Sequence, residues 1–242
     1  MRILRRWLLL TLLGLLLLQL FFIGHIALAR WFDPQSTSFQ RSELWRLATQ
    51  NKRLRWQQTW RPWAQLADPL KRAVIASEDD DFVNHDGVQW EAIERAWRKN
   101  AAAQEAAALR AEQNKPARPL RIAGGSTITQ QLAKNLFLSG ERTLLRKGQE
   151  LALTWALERL LTKPRILEIY LNSVEWGEGV FGAEAAARRY YGKSAAQLTP
   201  RQAARLAVML PRPRYFEQLP DSPWLAHRAT VIERRMAAVE LP

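Results

Sequence analysis

The sequence predicts a mainly α-helical protein, and three observations support this fold class. Apolar residues recur at spacings of three and four, the period of a helix with one apolar face. Two such stripes are Trp90, Ile93 and Trp97, and Leu144, Leu151 and Trp155. Helix-start signals precede several segments, and convincing alternating strands or hairpin turns are lacking. The chain of 242 residues has room for one medium-sized helical domain.

The N-terminal segment is apolar enough to cross a membrane. Three arginines, at positions 2, 5 and 6, precede residues 7–23, which only Thr11, Gly14 and Gln19 interrupt. About 20 apolar residues span the ~30 Å hydrocarbon core of a bilayer. Residues 27–29 resemble a signal-peptide cleavage site, but a signal peptide has a shorter apolar region, of ~7–15 residues. We therefore expect a retained anchor within residues 1–30, with its tip in the cytoplasm and the rest of the chain outside it.

Residues 31–66 follow this anchor and carry five tryptophans among Arg, Lys and Gln residues. Such a composition suits a segment at the membrane interface, where indole rings lie at headgroup depth and cations meet phosphate. A linker whose tryptophans pack on the next domain would have the same composition. Both interpretations stay open, and the main domain is expected over residues 67–242.

Composition and charge narrow the possible functions. There are 36 Lys and Arg residues against 23 Asp and Glu residues, a formal net charge of +13, which indicates an anionic partner. Export makes nucleic acid an unsuitable partner and favours a phospholipid surface or a phosphorylated substrate. The chain has no cysteine, which excludes disulfides and thiol chemistry.

Helix starts are predicted along the rest of the chain. Asp68-Pro69 predicts an N-cap with proline at the first helical position, and Ser222-Pro223 predicts another start. Thr199 and Gln202 have the spacing of a capping box. Residues 98–119 are rich in Ala, Gln, Lys and Arg and contain two prolines, so we expect a partly helical, mobile excursion there.

The first motif with chemical interest is the segment 73–87. A short apolar helix is predicted to run directly into four consecutive acids at positions 78–81. The C-terminal end of a helix disfavours anions, so such a cluster costs stability unless another requirement retains it. For an acidic run of this kind, a solvated turn is the competing interpretation.

The second motif, residues 122–135, predicts a glycine-rich turn that leads into a helix. Thr127 and Gln130 have the spacing of a capping box, and the free N–H groups of a helix start can bind an anion. Gln130 and Lys134 lie one turn apart, as do Gln131 and Asn135. Amides and a cation at these positions favour a binding helix over an ordinary surface helix.

The third motif, residues 141–158, combines cations with one carboxylate. Arg142, Arg146 and Glu150 are spaced by four, with Lys147 beside them. They could form a solvated ladder of ion pairs or a cationic pocket that holds one carboxylate. A fourth, glycine-rich and aromatic motif at 163–193 is interpreted mainly as scaffold, with a tight loop and then a helix that ends at Gly192.

Taken in order, these motifs resemble the family 51 glycosyltransferases, the peptidoglycan polymerases that join lipid II units. The resemblance covers roughly residues 60–215, and it rests on the acidic motif, GGSTITQQLAKN, RKGQELALTWALE, the glycine-rich motif and LPRP at 210–213. Because the chain ends soon after these motifs, the monofunctional branch of the family is the better match. The resemblance implies a lysozyme-like helical lobe with a small membrane-associated jaw.

The resemblance also implies roles for individual residues. Glu78 would be the base that activates the incoming 4-hydroxyl of lipid II, while Glu150 would orient cations or hold a Mg²⁺ or Mn²⁺ ion. Lys134, Arg142, Arg146 and Lys147 would bind the donor pyrophosphate. Gln130, Gln131 and Asn135 would position substrate, Ser126 and Thr127 would build the helix start, and Asp79, Phe82 and His85 would support the Glu78 loop.

The residue types agree with transfer from a phosphate-bearing donor. A glycosidase protonates an alkoxide leaving group and normally works with two carboxylates alone, whereas here two carboxylates accompany several cations. We expect polymerisation of lipid II in the bacterial inner membrane, with the domain in the periplasm. The expected partners are lipid II, the lipid-linked glycan, membrane lipids and other wall-synthesis or division proteins; no organic cofactor is expected. The alternatives are a lysozyme-like lytic enzyme and a non-catalytic wall-binding scaffold.

Overall fold

The computed structural model describes residues 2–51, 56–113, 125–138 and 143–242. Within these ranges the protein is mainly helical, as the sequence predicts. The helices are α1 (Arg2–Leu28), α2 (Ser38–Arg46), α3 (Asp68–Glu78), α4 (Trp90–Glu112), α5 (Ile128–Phe137), α6 (Leu144–Leu160), α7 (Lys163–Ser173), α8 (Ala183–Tyr191), α9 (Pro200–Met209), α10 (Pro213–Glu217) and α11 (Pro223–Arg235). A π-helical turn (Leu47–Asn51) follows α2, and 3₁₀ turns occur at Trp63–Gln65, Ala195–Gln197 and Met236–Ala238.

In the described part of the chain, three short strands form one small sheet in the order β1, β3, β2. They are β1 (Gln57–Gln58), β2 (Glu175–Gly177) and β3 (Val180–Phe181). β1 pairs with β3 in parallel, and β2 pairs with β3 antiparallel. The sequence did not predict these strands, because two or three residues are too few to display an alternating pattern.

The helical lobe is built around α3. This helix packs against α9 and α11, while α5 packs against α6 and α7. Leu70 and Val74 lie one turn apart on α3 and are fully buried, as expected for the core-facing stripe of a helix. The last turn of α3, which carries Glu78, is therefore held by the core of the lobe.

The start of α3 differs from the prediction. Ala67 is the N-cap residue, Asp68 is the first helical residue and Pro69 the second, and no side chain caps the helix. The Asp68 carboxylate instead accepts a hydrogen bond from Nζ of Lys71 at 2.9 Å. By contrast, Thr199 and Gln202 do form the predicted capping box at the start of α9.

The glycine-rich fourth motif forms the β2–β3 turn and then α8. Gly192 follows α8 in the left-handed conformation, with φ of 66°, so the predicted helix end is confirmed. Gly182 precedes α8 with φ of 81°, and a Cβ at that position would lie 2.7 Å from the carbonyl oxygen of Asn172. Glycine at position 182 thus allows the strand to turn directly into α8.

The two predicted apolar stripes lie on helices but face outward. Trp90 and Trp97 are exposed on α4, and Leu144 and Trp155 are exposed on α6. The helical period was correct, but the period alone does not reveal what covers a face. In the segment expected to be partly helical, α4 continues without a break through Glu112; residues 114–119 of that segment lie outside the described ranges.

Among the described helices, α1 is the one long and apolar enough to cross a membrane. Most of its side chains face away from the protein, whereas Ile26 is fully buried against the helical lobe. The division into an anchor (1–30), a juxtamembrane segment (31–66) and a main domain (67–242) stays a prediction.

Candidate active site

Glu78 is the last residue of α3, and residues 79–87, called the acidic loop here, follow it. Its carboxylate is partly buried and accepts hydrogen bonds from Nε2 of Gln131 at 3.0 Å and from Oγ of Ser77 at 3.3 Å. Burial raises the pKa of Glu78 above its ordinary value; these two hydrogen bonds oppose the rise, and the charge of Asp79 adds to it. The carboxylate is therefore a stronger base than an exposed glutamate.

The neighbouring Asp79 fixes the acidic loop to the start of α5. One carboxylate oxygen of Asp79 lies 2.8 Å from Nε2 of His85, and the other accepts the backbone N–H of Ile128 at 2.9 Å. Because Nδ1 of His85 accepts the N–H of Gly87 at 3.0 Å, a neutral His85 must carry its proton on Nε2 and donate it to Asp79. Asp79 thus lies at the N-terminal end of α5, the positive end of the helix dipole.

The start of α5 has the predicted capping box between Thr127 and Gln130. Oγ1 of Thr127 also donates to the carbonyl oxygen of Gly87 at 2.6 Å. This contact, together with Asp79, joins the acidic loop to the second motif over 40 residues of sequence. The two motifs therefore form one structural unit around Glu78.

Tyr170 orients the amide that contacts Glu78, and the sequence analysis did not identify it. Its hydroxyl donates to Oε1 of Gln131 at 2.9 Å, which leaves the amide nitrogen of Gln131 directed at Glu78. Burial raises the pKa of Tyr170 well above its ordinary value, so the hydroxyl retains the proton that it donates. The contact joins α7 to α5, and such a contact between helices has no local sequence signal.

A cationic pocket of about 380 Å³ lies beside Glu78. Most of its polar lining comes from the predicted second and third motifs: Ser126, Gln130, Gln131, Lys134, Asn135, Arg146, Lys147 and Glu150. Within it, Glu150 is only 3% exposed and accepts hydrogen bonds from Arg146 at 3.0 Å and from Lys147 at 2.5 Å. Of the two interpretations of the third motif, the geometry supports a cationic pocket that holds one carboxylate.

Arg146 has further capacity to bind an anion. Its Nε is buried and has no hydrogen-bond partner among the described residues. A buried donor without a partner is costly, and an anionic ligand in the pocket would supply an acceptor. Glu175 also lines this pocket, but its carboxylate is held by Arg214 through two hydrogen bonds of 2.9 and 3.0 Å. The buried donor without a partner in this pocket is therefore Nε of Arg146.

A second, smaller pocket of about 170 Å³ opens directly at Glu78. Arg95 and Arg235 line it, and Ser126 lines both this pocket and the cationic one. Arg235 pairs with Asp80 at 2.8 Å. The sequence analysis missed both arginines, since Arg235 lies 155 residues from Asp80 and belongs to none of the motifs. Two adjoining pockets can hold two substrates with their reacting groups near Glu78.

Phe82 and Arg142 are the remaining predicted site residues. Phe82 is fully buried, with Nζ of Lys163 at 4.6 Å from the ring centroid, and this position suits a supporting residue. Arg142 lies outside the described residues, so its expected place beside Arg146 stays a prediction.

The expected Mg²⁺ or Mn²⁺ ion at Glu150 does not fit the described side chains. Both oxygens of Glu150 already accept hydrogen bonds from cations, and a divalent ion would lie against those two positive charges. In the described ranges, no three His, Asp or Glu side chains form a metal-binding group. We therefore derive no catalytic step through a metal.

A partly buried carboxylate beside a cationic pocket suits an enzyme that transfers a group from an anionic donor. A family model described as Transglycosylase matches residues 46–237. A biosynthetic peptidoglycan transglycosylase of Paraburkholderia phytofirmans is 54% identical over 224 residues, which cover 93% of this chain and 87% of the relative. The protein of that name in Herminiimonas arsenicoxydans is 49% identical, with both chains fully covered.

The chain therefore belongs to the transglycosylase family. Its activity is peptidoglycan glycosyl transfer in cell wall synthesis, and its mainly helical structure agrees with the expected lysozyme-like lobe.

Proposed function

We propose that this transglycosylase polymerises lipid II into β-1,4-linked glycan strands and releases undecaprenyl pyrophosphate. The observation that carries the proposal is the position of Glu78 at one pocket, next to a cationic pocket that shares Ser126 with it. The acceptor lipid II occupies the smaller pocket and the lipid-linked donor the cationic one. The reaction then occurs where the two pockets adjoin.

Glu78 is the general base of this reaction. Its carboxylate takes the proton of the acceptor 4-hydroxyl as that oxygen attacks the anomeric carbon of the donor. The attack forms a β-glycosidic bond and breaks the α-linked bond to the pyrophosphate oxygen, which leaves with the bonding electrons. The raised pKa of Glu78 supports this role, because a base must be ionised near neutral pH yet able to accept a proton.

The cationic pocket stabilises the departing pyrophosphate. Lys134, Arg146 and Lys147 line it, and Arg142 is expected to join them. Glu150 holds Arg146 and Lys147 by hydrogen bonds and so orients them rather than reacting. Charge-assisted contacts prepared before the reaction favour the state in which negative charge develops on the leaving group. In the acceptor pocket, Arg95 and Arg235 bind the pyrophosphate of the incoming lipid II.

Because both substrates are lipid-linked, the active site must lie close to a membrane. We propose that α1 anchors the protein in the bacterial inner membrane, with its arginines in the cytoplasm and the main domain in the periplasm. Other wall-synthesis or division proteins are candidate partners. An active cytoplasmic reporter fused to the C-terminus, or a mature N-terminus at Arg30, would contradict this topology.

Incubation of the full chain with lipid II in vesicles tests the proposed reaction. Glycan polymer is expected, with one undecaprenyl pyrophosphate released for each glycosidic bond formed. Preformed glycan strands supplied in a parallel reaction test for a lytic enzyme, which would shorten them. Cleaved glycan would support the lytic alternative, and no turnover of either substrate would support a binding scaffold.

A further inference from the structure

The anchor helix makes a polar contact with the cationic helix α6. Gln19 is one of the few polar residues in the apolar run of α1, and its amide exchanges two hydrogen bonds with Gln149, of 3.1 and 2.9 Å. Both side chains are partly buried. Each amide donates to and accepts from the other, so neither needs water at this contact.

Gln19 lies well inside the apolar length of α1. It precedes the end of the helix, Leu28, by nine residues, or about 14 Å at the rise of an α-helix. If α1 spans the ~30 Å hydrocarbon core of a bilayer, Gln19 and its partner Gln149 lie in the outer half of that core. A single glutamine amide there would be left without a partner, whereas the pair gives each amide one donated and one accepted hydrogen bond.

The exposed residues of α6 agree with that depth. Leu144 and Leu145, at the start of the helix, are 92% and 89% exposed. Trp155 lies six residues beyond Gln149 and is 72% exposed. The order along α6, with leucines at its start and an indole about 9 Å along the helix axis beyond Gln149, matches the order of hydrocarbon core and aromatic belt. The other end of α6 enters the helical lobe, where Leu153 and Leu157 are buried.

The same face of α1 also contacts α5, the second helix that lines the cationic pocket. Phe22 lies one turn from Gln19 and packs edge-on against Phe137 at the end of α5, with ring centroids 5.4 Å apart. Ile26 continues this face and is fully buried. Gln19 therefore contacts α6 while Phe22 contacts α5, and both of these helices supply cations to the pocket.

We propose that α1 is part of the donor site: its face of Gln19, Phe22 and Ile26 binds α5 and α6 inside the membrane and sets the depth and spacing of the cationic pocket. Gln149 lies between Lys147 and Glu150 in the sequence, so a displacement of α6 from α1 displaces the cations as well. Gln19 and Gln149 are positioning residues in this arrangement. The role in donor binding rests on the proposed function, whereas the helix contact itself does not.

Cross-linking tests the contact independently of activity. Because the chain has no cysteine, the pair Gln19→Cys and Gln149→Cys can be oxidised or joined by a short thiol cross-linker in vesicles. Efficient intramolecular cross-linking is expected. The matched control pairs Leu17→Cys with Gln149→Cys, since Leu17 lies at similar depth on another face of α1. Equal cross-linking of the two pairs would overturn the proposal, whatever the enzyme activity.

Kinetics test the positioning role. Gln19→Leu and Gln149→Leu each leave one amide unpaired, and each is expected to lower kcat/KM for long-chain lipid II in vesicles about threefold to twentyfold, mainly through KM. The double variant should lose less than the product of the two single losses, because it leaves no orphaned amide. Turnover of a short-chain analogue should fall by a similar factor, because the displaced cations also contact its pyrophosphate. Independent, multiplicative losses, or a loss confined to the long-chain substrate, would overturn the role.

Discussion

Glu78 and Glu150 are two buried or partly buried carboxylates at one active site, and they differ in what surrounds them. Neutral donors, the amide of Gln131 and the hydroxyl of Ser77, contact Glu78. Two cations, Arg146 and Lys147, contact Glu150. Among the described residues, Glu150 therefore has counter-charges that Glu78 lacks. These surroundings support the proposal that Glu78 accepts the proton and that Glu150 positions the cations.

The largest effect is expected when Glu78 loses its ability to accept a proton. Glu78→Gln keeps the shape of the side chain, yet loss of a general base typically costs ~10²–10⁴-fold in rate. Lipid II polymerisation should fall by that factor, while the circular-dichroism spectrum and lipid II binding stay near wild type. Glu105→Gln, an exposed change on α4, is the matched control. A Glu78→Gln enzyme with close to wild-type turnover would transfer the role of base to Glu150.

A smaller loss is expected on the cationic side of the comparison. Lys134→Ala removes one charge from the pocket, and a charge-assisted hydrogen bond contributes ~1.5–3 kcal/mol, or about ten- to a hundredfold in turnover. Lys99→Ala, on the exposed face of α4, controls for the general loss of a positive charge. Normal kinetics in a folded Lys134→Ala enzyme would show that this lysine does not contact the donor.

Glu150→Gln tests whether the two carboxylates differ in kind. The change leaves Arg146 and Lys147 without their counter-charge, and we expect about a tenfold loss of turnover from their poorer placement. The acid limb of the pH–rate profile should remain, because Glu78 still accepts the proton. Glu233→Gln, which breaks a more exposed pair with Arg201, should leave the rate unchanged. Disappearance of the acid limb in Glu150→Gln would contradict the assignment.

The sequence predicted the parts of the site that local patterns encode. Capping by Thr127 and the end of α8 at Gly192 follow from spacing within one segment, whereas the cationic pocket was one of two interpretations that spacing left open. The partners Tyr170, Arg95 and Arg235 could not be found this way, because they come from other helices and depend on packing. The effect of the acidic run on Glu78 also depends on packing: of its aspartates, Asp79 is the one that raises the pKa of Glu78.

The smallest effect is expected at Tyr170, where the change acts on Glu78 through Gln131. Tyr170→Phe removes the hydroxyl that holds Oε1 of Gln131, so the amide becomes free to turn away from Glu78. The hydrogen bond from Gln131 lowers the pKa of Glu78, and its loss raises that pKa further. The carboxylate is then protonated at a higher pH, so the acid limb of the pH–rate profile should move upward. At neutral pH the turnover should fall about three- to tenfold, the value of one hydrogen bond, and much of it should return at higher pH.

Tyr215→Phe, which removes the hydroxyl of an exposed tyrosine, serves as the control for Tyr170→Phe. A uniform loss at every pH would indicate a packing defect and would exclude Tyr170 from tuning the base.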